Sequence, residues 1–488
     1  MPLRTGQVSG EGSVAKYSEL ARLLRSRIEM GMYQAGQRLP SVRMLSAEHG
    51  VSLGTVQQAY RLLEEEGLAS PAPKSGHFVT RRQNLHLLPT MRAIEKNPLD
   101  ILEWDEIYKV TTSTPDERVL QLGRGMPHVD TPTLKPLMKS LSHEAKRWQK
   151  DGLNYENIKG NLELRTQVSR LIIDSGCLVD PEEIIITTGC QEALMCSIRA
   201  ICSQGDIVVV ESPSFHGAIQ TLKVCGIKVI EVPTHPLTGI CLESLELIAQ
   251  RWPIRAVLVN PNCNNPLGYV MPDERKETLV ALSRTFGFFI IEDDTYGDLT
   301  YPYPRPKTIK SLDAEGQIIL CGSFSKTLAP GLRVGWVVPG KIYDKVLHIK
   351  YTSSGATATA NQRAIAEFMG KGLYQIHLRR MRANYKANRE LMTSWISKYF
   401  NPSIRISRPQ GGYFLWMELP DGVSAYELSD YLMQHNIQIA TGKIFSSSGK
   451  YENCIRINYG GALDDRVEEA IKMIGKRVMD LSVSNMLR

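Results

Sequence analysis

Lys326 stands in Ser323-Phe324-Ser325-Lys326, just after the β-branched run 318–321, and Arg333 follows seven residues later. A lysine amine attacks carbonyl carbon once it is neutral. Other residues able to do chemistry follow other β-branched runs in the same way. After 184–187 come Thr188-Gly189-Cys190-Gln191, opening a helical stretch whose first N–H groups form an anion site. After 207–211 comes Pro213-Ser214-Phe215, an aromatic ring on a turn, and after 256–260 comes Asn265 in Asn264-Asn265-Pro266-Leu267-Gly268. After 288–292 come Asp293, Asp294 and Tyr296.

Each of these residues alone has an ordinary explanation. A lone lysine is nearly always a solvated surface group, Asp293 could cap a helix, Phe215 could be core, and Asn265-Pro266-Leu267-Gly268 is a common turn. Those explanations do not account for their joint placement after successive strands. An amine, a carboxylate, an anion cradle and a stacking ring together suit one cofactor, pyridoxal 5′-phosphate. Lys326 is expected to join its aldehyde, and Asp293 to keep its pyridine nitrogen protonated. Gly189, Cys190, Gln191, Ser323, Ser325 and Arg333 are expected around its phosphate. Phe215 is expected to stack on the ring, and Asn265 and Tyr296 to bond the ring oxygen.

The elements that must position these groups follow from the pattern. Seven short apolar runs, 184–187, 207–211, 228–232, 256–260, 288–292, 318–321 and 334–338, alternate with helical stretches. That spacing predicts an α/β fold with a doubly wound sheet, and such sheets gather ligands at the carboxyl ends of their strands. Two other motifs fail. Ser323-x-x-Lys326 lacks the Ser-Asp-Asn and Lys-Thr-Gly partners of serine–lysine acyl enzymes. Gly335-x4-Gly340-Lys341 is followed by Ile342, not Ser or Thr, as a phosphate-binding loop requires.

Upstream, Tyr17, Leu20, Ala21, Leu24 and Ile28 form one stripe of an amphipathic helix ending near Gly31. Ser41 can cap a second helix stopped by Gly50, and Ser52 a third with Val56, Ala59, Tyr60 and Leu63 inward. Pro71 to Thr80 reads as a small hairpin. From periodicity alone a plain three-helix module is the simpler reading, although two helices joined at Gly50 is also the layout of a helix-turn-helix. Residues 81–120, with Pro89, Pro98 and Pro115, read as a linker of mixed stiffness, with a helix expected over 99–110.

Composition sets the bounds. The 488 residues are 42% hydrophobic and 22% charged, as in ordinary globular proteins, with room for two or three domains. No apolar stretch reaches about 18 residues, so no membrane span is expected. The polar start, 1–12, predicts no secretory leader. Nine cysteines, without a CxxC pair, fit reduced thiols in a cytoplasm. Of the net charge of +7, residues 1–82 carry +4, which places any polyanion partner at that end.

The literal residues then decide between the open readings. Gly36-Gln37-Arg38-Leu39-Pro40-Ser41-Val42-Arg43, Gly50-Val51-Ser52-Leu53-Gly54-Thr55-Val56, Glu66-Gly67-Leu68 and Gly76-His77-Phe78-Val79 resemble the GntR-type winged helix-turn-helix, here spanning 14–80. The resemblance implies DNA contacts at Arg43, Ser52, Thr55 and Gly76. Gln57 and Gln58 are expected to reach base edges, and Lys74 a phosphate. Leu53 stands where the family often has an arginine. Ser323 to Trp336, with Glu211-Ser212-Pro213, Glu292-Asp293-Asp294, Gly411-Gly412-Tyr413 and Cys454-Ile455-Arg456-Ile457, resembles the fold-type-I, class I/II aminotransferases over 121–488. That implies a seven-stranded large part at about 150–345 and a smaller α+β part at about 346–488. It also implies that Arg456 binds a ligand carboxylate, and that Tyr155 serves the partner subunit of a homodimer.

The combination resembles the MocR subfamily of bacterial regulators. It implies a cytoplasmic transcription regulator that binds a double-stranded operator and senses an amino acid, amine or B6 vitamer. The rival expectations are a working aminotransferase carrying a DNA-binding module, and a sensor of the cofactor alone.

Overall fold

The computed structural model describes residues 16–29, 32–33, 36–65, 68–72, 76–79, 86–99, 118–147 and 154–486. The chain divides into two compact units, Met1–Leu85 and His86–Arg488.

In the first unit, α1 (Lys16–Glu29), α2 (Val42–His49) and α3 (Leu53–Glu65) precede a hairpin of β1 (Ala69–Ala72) and β2 (Gly76–Val79). Each helix begins and ends where its residues allow. The Ser41 hydroxyl accepts from the Met44 amide at 3.2 Å, and Gly50 closes α2 in the left-handed region at φ 62°. Ser52 caps α3 by accepting from the Thr55 amide at 3.1 Å. Leu24, Leu45, Val56, Tyr60 and Leu63 fill the core of this unit, and the expected apolar stripes of α1 and α3 are the faces that meet there.

The second unit is built on a large sheet of β3 (Ile185–Thr187), β4 (Ile207–Ser212), β5 (Lys228–His235), β6 (Gly239–Ile240), β7 (Ile254–Val259), β8 (Phe289–Asp293), β9 (Ile318–Ser323) and β10 (Gly335–Val338). Their spatial order is β3-β10-β9-β8-β7-β4-β5-β6. All are parallel except β10 and the edge strand β6. All seven expected strands form. The eighth, β6, is only two residues long and follows the turn 236–238, too short to leave a pattern. The strands read as unbroken apolar runs because both faces are covered. In β7, Ala256 and Leu258 pack on one side while Val257 and Val259 pack on the other.

A smaller sheet follows, β11 (Arg405–Ile406), β12 (Phe414–Glu418), β13 (Ala440–Thr441) and β14 (Cys454–Asn458), in the order β11-β12-β14-β13. Of the segment expected as linker, residues 86–99 lie extended along this second unit, with Leu87 bridging Arg405 and Leu99 bridging Val229. Leu99 is therefore extended and not helical, and the rest of the expected 99–110 helix lies outside the described residues.

Because each unit has its own core, damage to one should spare the other. Leu63 is fully buried between α3 and α1. Leu63→Ala should destabilise the first unit by about 2–5 kcal/mol. Calorimetry should show one transition lowered and the other unmoved.

Candidate functional site

The carboxyl ends of β3, β4, β7, β8 and β9 open onto one cavity of about 240 Å³. Ten of the residues singled out from sequence line it: Cys190, Gln191, Phe215, Asn265, Asp293, Tyr296, Ser323, Ser325, Lys326 and Arg333. Asp293 ends β8 and is 6% exposed. Its Oδ1 accepts from the Thr295 amide at 3.0 Å and faces the Cys190 thiol at 3.6 Å. Burial pushes its carboxyl up, and burial likewise pushes the Cys190 thiol up.

The Lys326 amine donates to the Gly125 carbonyl at 2.6 Å. Burial, then the charges of Arg456 and Arg333, bring it down to about 8. A lysine in that range has an appreciable neutral fraction near neutral pH, far more than an ordinary lysine, and the neutral amine is the nucleophile.

The side where a phosphate is expected is built from backbone, hydroxyls and the Arg333 guanidinium. The helix Cys190–Ile201 (α4) starts here, and Gly189 precedes it at φ 82°. A Cβ at Gly189 would lie 2.7 Å from Arg333 Nη2, so glycine is what lets the guanidinium reach the helix start. Arg333 donates to the Thr188 carbonyl at 3.0 Å and the Ser325 hydroxyl at 3.4 Å. Ser323 Oγ lies 2.9 Å from Ser325 Oγ. Gln191 differs from expectation in aim: its amide turns to the Gly217 carbonyl at 2.9 Å and to the Thr221 hydroxyl.

Arg456, on β14, is 2% exposed. It donates to Asn265 Oδ1 at 2.8 Å and to the Gly123 carbonyl at 2.7 Å. Its guanidinium lies 4.1 Å from the Phe414 ring centre and 4.9 Å from that of Phe445. Its Nε is buried without a partner among the described residues, as a site for an incoming oxygen would be. Asn265 thus has its side-chain carbonyl engaged by Arg456, so the group left to bond a ring oxygen is its amide nitrogen. Tyr296 is buried edge-on to Tyr413 and Phe414 at 5.8 and 5.7 Å, and burial raises its phenol. Tyr155 lines none of this cavity and stands 97% exposed.

Sequence reasoning passed over several members. Asn260 donates to the Asp293 carbonyl at 2.5 Å and accepts from the Asn265 amide at 2.7 Å, clamping two site residues together. Gly125 was outside every motif, yet its carbonyl accepts from the Lys326 amine, and a Cβ there would lie in ordinary contact with Nζ at 3.7 Å. The doublet Gly123-x-Gly125 was the available signal of close backbone approach. The cradle at Gly189, the amine, the buried acid and the open guanidinium nitrogen are the donor set that pyridoxal phosphate with an amino acid requires, so the residues fit that group.

In the first unit, Arg43, Ser52, Gln57, Gln58 and Gly76 are exposed, and Thr55 is half-buried. Ser52 and Thr55 share a hydroxyl contact at 2.9 Å. Lys74 lies outside the described residues.

Residues 16–79 match the bacterial regulatory proteins of the gntR family, and residues 117–474 match aminotransferase class I and II. The chain is 46% identical to the HTH-type transcriptional regulator YjiR of Escherichia coli over 95% of this chain and 99% of that one. The chain belongs to the MocR subfamily of GntR-type transcription regulators. It is also 30% identical to a 2-aminoadipate transaminase of Thermus thermophilus, over 74% of this chain and 91% of that enzyme. Among solved structures, LysN of Thermus thermophilus, complexed with N-(5′-phosphopyridoxyl)-L-leucine, superposes with a TM-score of 0.70. It is 28% identical, over 78% of this chain and all of that one. The kynurenine aminotransferase of Pyrococcus horikoshii also gives 0.70 at 28% identity, over 77% of this chain and 94% of that one. In this MocR regulator the aminotransferase part therefore keeps the fold, and the GntR part lies ahead of it in the chain.

The depressed Lys326 amine gives a pH test. Below about 8 it holds its proton, and the reactive fraction grows as pH rises through that value. The rate at which apoprotein captures pyridoxal phosphate should titrate near 8. Arg456→Met removes a positive neighbour and should move the midpoint upward, as followed by stopped-flow absorbance.

Proposed function

We propose that this regulator holds pyridoxal 5′-phosphate on Lys326 and changes its grip on an operator when an amino acid or other amine enters the same site. The observation that carries the reading is the convergence of Lys326, Asp293 and Arg333 on one cavity, with Arg456 joined to it through Asn265. When bound, the cofactor supplies an aldehyde that exchanges among primary amines and a ring that draws electrons. Lys326 offers the amine that holds it. Asp293 keeps a proton at the pyridine nitrogen. Gly189, Cys190, Ser323, Ser325 and Arg333 bind the phosphate, and Phe215 flanks the ring. Arg456 takes the carboxylate of an amino acid, and Asn260 keeps Asn265 and Asp293 in register.

The exposed Tyr155 suits a homodimer in which it completes the partner's site. Two DNA-reading units would then meet two half-sites at a fixed spacing. A reader of chromosomal DNA works in the cytoplasm, where the nine cysteines, all unpaired here, stay reduced. Among the described residues no helix is long and apolar enough to cross a membrane.

Two measurements on the full chain test this. Lys326→Ala should lose the visible absorption band of the covalently held cofactor; a surviving band overturns the assignment. Arg456→Ala should keep the band and lose the change in DNA affinity that carboxylated amines cause. Separately, Arg43→Ala should weaken operator binding and reduce its salt slope by about one unit if the guanidinium meets a single phosphate. A fluorescence titration across salt concentrations reads that slope.

A second reading is favoured by the completeness of the cavity and by the transaminase relative. In it the chain turns over amino acids and 2-oxo acids, with Lys326 moving the proton. Multiple turnovers at ordinary enzyme rates, without operator binding, would establish it in place of the first.

A further inference from the structure

Residues 86–99 form a strap that crosses from one lobe of the second unit to the other. At its start the Leu87 carbonyl accepts from the Ile406 amide at 2.9 Å, and the Thr90 amide donates to Glu418 Oε2 at 2.6 Å. Arg92 donates to Asn453 Oδ1 at 2.7 Å. These partners belong to the small sheet and its loops. At its end the strap belongs to the large lobe. Leu99 and Val229 exchange amide and carbonyl bonds at 2.8 and 3.2 Å, and the Trp252 indole donates to the Lys96 carbonyl at 3.0 Å.

Between the two ends stands Lys450. Its amine reaches Glu95 at 3.0 Å, the Ala93 carbonyl at 3.3 Å and Glu231 at 3.6 Å. The side chain of Glu231 is fully buried on β5, and that of Lys450 is 18% exposed, so this pairing is shielded from the water that weakens surface ion pairs. Glu231 also accepts from Ser212 Oγ at 2.9 Å, Ser446 Oγ at 2.8 Å and Ser447 Oγ at 2.7 Å. It therefore ties the loop 446–450 to the large lobe.

Immediately ahead of that loop stands Phe445, whose ring lies 4.9 Å from the Arg456 guanidinium and whose carbonyl accepts from the Ser214 amide, next to Phe215. The residue that would take a ligand carboxylate and the residue that grips the strap are thus separated by one short loop. Arg456 itself sits on the small sheet and bonds Asn265 of the large lobe. A carboxylate entering at the open Arg456 Nε meets the same guanidinium that Asn265 accepts from and Phe445 flanks. A cavity of about 760 Å³ beside Arg92 and Lys450 gives the loop room to follow.

We propose that the strap is the output element of the sensor: filling the Arg456 pocket loosens the hold of Lys450 on Ala93 and Glu95, and so frees the chain that leads back toward the DNA-reading unit. This rests on the proposed binding of cofactor and amino acid. A ligand can shift such an equilibrium only through contacts that differ between the two states, a difference that falls here to the contacts of the Arg456 guanidinium with Asn265 and Phe445.

The test is hydrogen–deuterium exchange across residues 86–99 of the full chain, loaded either with pyridoxal phosphate or with N-(5′-phosphopyridoxyl)-L-leucine, binding being checked by native mass spectrometry. The bound adduct should speed strap exchange about tenfold, the scale of losing one or two hydrogen bonds. Lys450→Met, and the milder Glu95→Gln at a partly exposed position, should exchange fast in both states, so that the ratio falls toward one while the adduct still binds. Bound adduct with unchanged or slowed strap exchange overturns the proposal, as does a wild-type ratio in both variants. An adduct that does not bind overturns the cofactor reading itself and the strap with it, which separates the two failures.

Discussion

Three charged groups, Lys326, Asp293 and Arg456, are kept largely from water in one neighbourhood and, among the described residues, are not neutralised by one another. Their partners are neutral: a carbonyl for Lys326, an amide for Asp293, a carbonyl and a side-chain amide for Arg456. Such burial disfavours the charged forms, as the lowered lysine and arginine and the raised aspartate register. The fold accepts that penalty because the strands end there. Parallel strands bring all their carboxyl ends to one edge, where turns replace ladder bonds and side chains converge. A ligand that carries a protonated ring nitrogen and a carboxylate supplies counter-charges for Asp293 and Arg456 in one molecule.

Much of this was legible in sequence, for physical reasons that can be named. The strands announced themselves because sheets covered on both faces need uninterrupted β-branched residues, and each such run was followed by a polar turn. That made Lys326, Asp293, Asn265 and Arg333 visible together, since each sits within a few residues of a strand end. Arg456 was different. It stands in the middle of β14, opposite Trp416, and nothing in the pattern of that strand separates a buried carboxylate-binding arginine from a solvated one. Only the family resemblance singled it out. Asn260 was hidden in a similar way, because it closes an apolar strand and acts through its neighbours. Gly125 was hidden because it lies far upstream in sequence and reaches the site only through the fold of the loop ahead of Pro127.

The segment between the two units shows the opposite failure. Its prolines and polar residues lack periodicity, which is the ordinary mark of a flexible connector. Yet residues 86–99 lie along the second unit, held by isolated hydrogen bonds, ion pairs, the bridges at Leu87 and Leu99 and the packing of Ile94, all to scattered partners. Periodicity cannot reveal that mode of attachment, because it requires no repeated face. A strand that borrows its bonds from side chains such as Glu418 and Lys450 also lacks the regular ladder that makes a sheet resist change. Its bonds are few and independent, so local release is energetically plausible while the cores on either side stay intact.

That distinction bears on why an aminotransferase fold serves a regulator. Ten of the residues expected of the enzyme's cavity line it here, so the regulatory role does not require a stripped site. It arises from what the site is tied to. In an enzyme, a substrate carboxylate on the equivalent of Arg456 has only to orient the reacting carbon. Here the same guanidinium lies beneath Phe445, just ahead of a loop anchored through Glu231 and ending at Lys450, and Lys450 holds the chain that runs toward the DNA-reading unit. The free energy of capturing a carboxylate can therefore be spent on rearranging a connection as well as on positioning a substrate. Reciprocity then follows: whatever DNA does to the strap, it must do to ligand affinity by the same factor.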